Sequence, residues 1–294
     1  MEYQLLPEKL SFRGNPALLF VSPILAWKNG SAYIPGTAVL VARNLAIAAR
    51  HVIEDIYKQY FDLKPEDLYG GKLGDVILNV AITQLETGAA WYIRHVWSSN
   101  HTDAAFLALE PKNDEAKRYE WHKLGIDLRL PNVGTQITAL GFRKSEIINI
   151  DEGLSQNGIT SVKANCELNS VKGQVQEVLG SGRGDKQLKF PCFRTNAKFD
   201  PQMSGGPVLD ENGFLRGLVC KGYDLLSEDE EPISYVAGIM PVLAIIIDQS
   251  LPDLKPVKPY PALDLAQNGF LVALGHERVT LTHLPNGGSR IQFD

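Results

Sequence analysis

With 294 residues, the chain is long enough for one large hydrophobic core or two modest ones, and its composition is ordinary for a globular protein. The formal net charge is −5 at pH 7 and the pI is about 5.7, and no stripe of Lys and Arg offsets this charge locally. These values argue against a nucleic-acid-binding or membrane-binding surface, so we expect a protein or peptide ligand, no nucleic acid and no membrane.

The first 25 residues lack the order of a signal peptide, because four charged side chains are scattered among the apolar ones. No apolar run along the chain reaches membrane-spanning length. Cys166, Cys192 and Cys220 are an odd number at wide spacing, which fits reduced thiols better than a disulfide framework. The sequence has no Cys-x-x-Cys or Cys/His pair, so neither a metal nor a cofactor is predicted. Together these features predict a cytoplasmic protein.

Short β-rich runs divided by turns predict a first β-barrel at about 15–110. The predicted elements of this unit are, in chain order, strands 37–41 and 45–49 with a turn at 42–44, a helix and loop at 54–70, and a strand at 76–82. This order places His51 just past a strand. The charge-rich residues 111–130 then predict the connector to the next unit.

Residues 131–240 repeat the all-β pattern and predict a second barrel. Its predicted strands are 135–142, 159–166, 174–179, 190–195, 206–209, 214–220 and 234–240. A closing helix is predicted at 241–249 because Pro241 suits a first helical position, and four prolines make 251–262 an extended linker. The tail 263–294 predicts two or three small strands. These are too few to be stable alone, so we expect them to add to the barrel or to a partner.

Three motifs carry the residue types of an acyl-transfer site. Ser204 is followed by Gly205-Gly206-Pro207, where the missing side chains let the backbone turn sharply. His51 ends the motif Ala48-Ala49-Arg50-His51, and Asp103 precedes an apolar run at 104–109. A serine hydroxyl is a poor nucleophile until an imidazole takes its proton, and the imidazole needs a carboxylate to fix its tautomer.

These motifs resemble those of the trypsin-like (chymotrypsin-fold) serine peptidases, and among them the high-temperature-requirement A proteases, without a PDZ domain. Ala-Ala-Arg-His51 resembles the Thr-Ala-Ala-His of the family, 102–107 its aspartate-bearing strand, and Ser204-Gly205-Gly206-Pro207 its nucleophile loop. The resemblance covers about 15–250 and implies an all-β fold with two antiparallel six-stranded barrels. It also implies that Ser204 is the nucleophile, His51 the general base and acid, and Asp103 the orienting carboxylate in a cleft between the barrels.

The resemblance further implies that the backbone N–H groups of Gln202 and Ser204 form the oxyanion hole. The family has glycine where Gln202 stands, and a non-glycine residue is disfavoured at positive φ, so we expect the hole to be unformed at rest. Met203 stands where activatable members have an aspartate that pairs with a new N-terminus. We therefore expect control by conformation, by a partner or by a ligand, and not by zymogen cleavage.

Four residues are implied in substrate binding. Cys220-Lys221-Gly222 match the strand that pairs with an extended substrate, and Lys198 matches the base of the specificity pocket. Two interpretations of Lys198 are open, since it either receives an acidic side chain or faces solvent. The acidic run 224–231 is either a solvated loop or a rim that attracts a basic segment. The remaining histidines, and Asp75 and Asp127 as other triad carboxylates, lack a family-like context.

The leading hypothesis is an intracellular serine endopeptidase with a trypsin-like domain at 1–250. It would cleave proteins through an acyl-enzyme, without a cofactor, under the control of a partner or a ligand. The alternative is a catalytically weak or silent peptide-binding module, which the glutamine at 202 favours. A third hypothesis is a sensor or effector subunit of a larger assembly, with 262–294 as its docking element.

Overall fold

The computed structural model describes residues 8–11, 15–28, 31–61, 80–83, 88–152, 159–180, 188–223, 232–248, 259–283 and 289–293. These residues form an all-β, chymotrypsin-like fold with two β-barrels and a C-terminal extension. Within these ranges, no helix is long and apolar enough to cross a bilayer.

The first barrel is closed by six antiparallel strands. The described part of the chain begins with β1 (Glu8–Lys9) and a 3-10 turn (Pro16–Leu19), which lie outside this barrel. The six barrel strands are β2 (Val21–Lys28), β3 (Ser31–Ala42), β4 (Leu45–Ala49), β5 (Val80–Thr83), β6 (Ala90–Ser98) and β7 (Ala104–Pro111). Their hydrogen-bonded order is β2-β3-β4-β7-β6-β5. In β4 and β7, alternate residues pack inside this barrel and against the second barrel, so both faces of these two strands are buried.

The described residues of the first half of the chain include two short α-helices. Helix α1 (Arg50–Ile56) follows β4 directly and continues as a π-helical turn at Tyr57–Phe61. It starts before the predicted helix at 54–70, because Val52, Ile53 and Ile56 together bury one face against the barrel. The connector holds α2 (Asp114–Lys117), which is capped by the side chain of Asn113, and β8 (Ile126–Asp127).

The second barrel is built from β9 (Gln136–Glu152), β10 (Ile159–Leu179), β11 (Cys192–Thr195), β12 (Pro207–Asp210), β13 (Leu215–Tyr223) and β14 (Ile233–Gly238). Their order is β12-β9-β10-β11-β14-β13, and β12 also pairs with β13, which joins the two ends. Strands β9 and β10 form one long hairpin where the sequence predicts three short strands. Three register shifts bend it, and the polar residues at 143–152 hide the alternation that marks a half-buried strand.

The described part of the tail packs back onto the barrels. The closing helix is a 3-10 turn, Met240–Ala244, that leads into β15 (Ile246–Ile247), so it is shorter than the predicted 241–249. The later elements are β16 (Tyr260–Pro261), α3 (Leu263–Gln267), β17 (Ala273–Leu274), a 3-10 turn (His276–Arg278), β18 (Val279–His283) and β19 (Ser289–Phe293). Strand β17 pairs in parallel with β8, and three side chains of α3 are buried in the core between the barrels. The predicted linker, up to 258, lies outside the described residues.

A buried ion network joins the connector to the second barrel. Arg216 of β13 lies 2.7 Å from a carboxylate oxygen of Asp127 and 2.7 Å from one of Asp210. Burial alone would raise the pKa of Asp127, but the hydrogen bonds and charge of Arg129, together with Arg216, lower it below the ordinary value. Asp127 therefore holds β8 in place, and it is not a partner of His51.

Candidate active site

The pairing of β4 with β7 brings His51 and Asp103 together. Ala49 and Ala104 are partners in this ladder, so the start of α1 meets the residue just before β7. His51 Nδ1 lies 2.7 Å from Asp103 Oδ2, and the backbone N–H of His51 donates to Oδ1 of the same carboxylate at 3.0 Å. Both carboxylate oxygens therefore orient one histidine, whose Nε2 faces away from Asp103.

The pKa of His51 reflects this contact. Burial by itself would lower the pKa of the imidazole, but the hydrogen bond and charge of Asp103, helped by Asp55 and Glu54, raise it above the ordinary value of 6.5. Asp103 is only 3% exposed, so water screens the interaction little. The pair can take up a proton and stabilise the resulting imidazolium, which is what a general base must do.

Ser204 follows a 3-10 turn, Pro201–Met203, and its backbone is held against the first barrel. The N–H of Thr37 in β3 donates to the carbonyl oxygen of Ser204 at 2.9 Å. The next residue, Gly205, has a φ of +85°, and a Cβ there would lie 2.2 Å from the carbonyl oxygen of Thr37. Only glycine fits both this conformation and this close approach. The serine lines the same cleft, of about 490 Å³, as the histidine–aspartate pair.

Cys220 of β13 is the fourth side chain of this cluster. Atoms of His51, Asp103 and Cys220 lie within 4.8 Å of one another, and the thiol hydrogen-bonds to Asp103. Burial raises the pKa of the thiol well above its ordinary value, and the charge and hydrogen bond of Asp103 raise it further. The raised pKa keeps the thiol protonated in this cleft, so it can donate to the carboxylate.

The backbone N–H of Ser204 is hydrogen-bonded within the loop that precedes the serine. The N–H of Ser204 donates to the carbonyl oxygen of Pro201 at 3.1 Å, within the 3-10 turn. Gln202 does not have a positive φ, the conformation that would turn its N–H toward the cleft in this fold. The N–H of Ser204 therefore points at a carbonyl of its own loop and not at a substrate position.

The side chain of Gln202 fixes this arrangement. Its Oε1 accepts from the backbone N–H of Ser145 at 2.8 Å, and its Nε2 donates to the carbonyl oxygens of Ser145 at 3.0 Å and Ile34 at 3.3 Å. We call these three bonds the Gln202 clamp. Beside them, Arg143 and Asp200 form an ion pair at 2.8 Å. Ser145 and Arg143 both belong to β9, so the β9–β10 hairpin is tied to the loop that precedes Ser204.

The residues implied in substrate binding all line the cleft, namely Lys198, Cys220, Lys221 and Gly222. A Cβ on Gly222 would lie 2.5 Å from the carbonyl oxygen of Phe199, so glycine lets β13 approach this segment closely. Leu188 and Phe190 add apolar walls that carry no sequence signal of their own. The role of these residues in binding stays a prediction.

Other residues considered from the sequence lie away from the cleft or outside the described chain. His95 is buried with its ring centroid 4.6 Å from that of Trp97, which is a packing role. Asp75 and the acidic run 224–231 lie outside the described residues.

The family model for the trypsin-like peptidase domain matches residues 36–218. The chain belongs to the trypsin-like peptidase family. No curated protein matches it. Among solved structures, the active form of the Rv3671c protease from M. tuberculosis is 16% identical, with a TM-score of 0.47, and covers 87% of this chain and 93% of that chain. The inactive form of the Rv3671c protease is 15% identical, with a TM-score of 0.44, and covers 79% of this chain and 92% of that chain.

In this trypsin-like peptidase, the matched range contains the serine, histidine and aspartate that line the cleft, and it ends before Cys220. Lys198 and Gln202 also lie inside it. The closer resemblance to the high-temperature-requirement A branch stays a prediction from the nucleophile loop.

Proposed function

We propose that this trypsin-like peptidase is a serine endopeptidase that cleaves protein substrates through an acyl-enzyme. The observation that carries the proposal is the two-point contact of Asp103 with His51 in a cleft that Ser204 also lines. The carboxylate fixes the imidazole with Nδ1 inward, so Nε2 is the nitrogen that serves the cleft.

In the proposed reaction, Ser204 Oγ attacks the carbonyl carbon of a peptide bond while His51 Nε2 takes the hydroxyl proton. Asp103 stabilises the imidazolium. The C–N bond then breaks, His51 gives the proton to the leaving amine, and the serine keeps the acyl group as an ester. Water attacks this ester with His51 again as the base, which releases the acid and restores the serine. These steps use no cofactor.

The substrate would add as a strand to β13. Strand β12 pairs with β13 no further than Leu218, so the segment 220–222 continues beyond that neighbour along the cleft. Strand addition uses main-chain hydrogen bonds and therefore accepts many sequences, which leaves selectivity to the side-chain pocket.

We also infer that the activity is regulated, because the Ser204 N–H must leave Pro201 before it can stabilise an oxyanion. The Gln202 clamp and the Arg143–Asp200 ion pair oppose that movement, and all of these contacts except the bond to Ile34 end on β9. A protein partner or a ligand that moves the β9–β10 hairpin would release the loop. The activating species would then act on the hairpin without entering the cleft.

The proposed location is the cytoplasm. Cys166, Cys192 and Cys220 are all buried free thiols, a state that a reducing compartment preserves. The proposed partners are a protein substrate and a regulatory protein.

Labelling with a fluorophosphonate tests the proposed activity, because only an activated serine reacts with it. We expect the wild-type protein to be labelled on Ser204, and Ser204→Ala to remain unlabelled with unchanged thermal unfolding. Ser170→Ala, on β10 and outside the cleft, is the matched control and should be labelled like the wild type. Wild-type protein that stays unlabelled, or a label elsewhere, would contradict the proposal.

A second candidate function is a silent peptide-binding module. The internal bond from the Ser204 N–H to Pro201 favours it, since a permanently closed loop cannot stabilise an oxyanion. This candidate predicts peptide binding with no label on the serine of the wild-type protein. The same reagent therefore separates the two functions.

A further inference from the structure

Among the described residues that line the cleft beside Ser204, each carboxylate already has a partner. Asp103 is paired with His51 at 2.7 Å and Asp200 with Arg143 at 2.8 Å. Two lysines, Lys198 and Lys221, line the same cleft. An acidic group on a ligand would therefore meet cations rather than competing anions.

Lys198 is the lysine that lies in the segment leading to Ser204. It is half-buried, and it lines the cleft together with the apolar residues Leu188, Phe190 and Phe199. Within the described part of the chain, no carboxylate lies within ion-pair distance of its Nζ. An ammonium group that has lost part of its water among apolar walls gains more from an ion pair than an exposed one does.

The backbone places Lys198 close to the strand that would pair with a substrate. The close approach of Gly222 to Phe199 brings the segment that holds Lys198 directly beside β13. A peptide lying along 220–222 with its carbonyl carbon at Ser204 would direct a side chain into the space between these two segments. Lys221, whose Nζ lies 4.7 Å from the ring centroid of Tyr223, adds a second cation farther along β13.

We propose that the pocket selects an acidic side chain on the residue that precedes the scissile bond, and that Lys198 is the specificity-determining residue. This inference rests on the proposed function, since it names the substrate class of the same site. A lysine or arginine at that position of the substrate meets repulsion from Lys198, and a neutral side chain leaves the ammonium unpaired. The cleft thus favours acidic segments.

The test measures binding without turnover. The full-length Ser204→Ala protein is titrated calorimetrically with three acetylated tetrapeptides, each three alanines followed by Glu, Gln or Lys. All three carry the same terminal carboxylate, so differences report the side chain alone. We expect the Glu peptide to bind about tenfold more tightly than the isosteric Gln peptide, with the Lys peptide weakest, and the ratio to fall at high salt.

Three variants in the Ser204→Ala background assign the effect. Lys198→Met should remove the difference between the Glu and Gln peptides, and Lys198→Glu should favour the Lys peptide. Lys172→Met, which removes an exposed lysine of β10, should keep the original preference. Thermal unfolding of each variant checks that it folds.

Equal binding of the Glu and Gln peptides, no binding of the Glu peptide, or a preference retained in Lys198→Met would overturn the inference. These outcomes are separate from failure of the proposed function. A protein that prefers the Glu peptide but is never labelled by a fluorophosphonate would be a binding module with an acid-selective pocket.

Discussion

On the first-barrel side of the cleft, Asp103 holds His51 through both carboxylate oxygens, whereas on the second-barrel side the N–H of Ser204 bonds to Pro201 of its own loop. The first side belongs to the paired strands β4 and β7, whose two buried faces leave little room for movement. The second side is a short 3-10 turn tied by side chains to a long hairpin. Under the proposed function, the acid–base pair is therefore formed in advance, and the oxyanion donors are the part left for control.

The largest expected effect on kcat comes from disrupting the contact between His51 and Asp103. Asp103→Asn should lower kcat by about 10⁴-fold, because an amide presents the wrong imidazole tautomer to the cleft. Ester hydrolysis by the purified variant measures this effect. The control Asp114→Asn changes an exposed aspartate of α2 and should leave the rate unchanged. Loss of less than about tenfold in Asp103→Asn would show that the pair is not catalytic.

The second largest effect on kcat is expected from removing the Gln202 clamp, which holds the loop before Ser204. Gln202→Gly should raise kcat on small esters by about tenfold or more, since it removes the clamp and makes positive φ accessible. Gln202→Ala removes only the clamp and should lie between the wild type and Gln202→Gly. An unchanged or lower turnover in both variants would mean that the loop is already productive.

The pH dependence of kcat/KM reports the protonation of His51 in its pair with Asp103. The pKa of His51 is raised, and the neutral imidazole is the base, so kcat/KM should rise with pH through a midpoint above 6.5. The same pair stabilises the fold below the unfolded pKa of histidine, and this stability is lost as pH rises through the folded pKa. The labelling rate of Ser204 measured against pH checks the midpoint, and a midpoint below 6.5 would contradict the contact with Asp103.

The smallest effect on kcat is expected at Cys220 of the second barrel, which contacts Asp103 of the first. Cys220→Ser keeps a donor to Asp103 and should leave kcat within about threefold of the wild type. Cys220→Ala removes the donor and should cost about 1 kcal/mol, or about fivefold in kcat. Equal rates in the two variants, each correctly folded, would show that the thiol contact does not matter to the reaction.

The two sides of the cleft also differ in how well the sequence predicts them. The His51–Asp103 pair could be predicted from the sequence because both residues lie in short motifs next to apolar strands. The pairing of these strands then brings the two residues together. The glutamine in place of glycine pointed to an unformed oxyanion hole, a prediction that the Ser204–Pro201 bond supports.

The remaining contacts had no sequence signal because they depend on packing between distant segments. Gln202 reaches Ser145 across 57 positions, on a part of β9 whose polar residues give no strand pattern. The bond between Cys220 and Asp103 requires β13 of the second barrel to lie against the first. The sequence left two interpretations of Lys198 open, and the choice between them depends on which carboxylates are already paired, which is visible only in three dimensions.

The most direct test of the central claim is the rate of fluorophosphonate labelling, with the labelled residue mapped by mass spectrometry, in the wild type and Gln202→Gly side by side. The account predicts that Ser204 is labelled in both proteins, slowly in the wild type and about tenfold faster in the variant, because the loop limits a site whose acid–base pair is already formed. No label on Ser204 in either protein, or equal rates in the two, would contradict it.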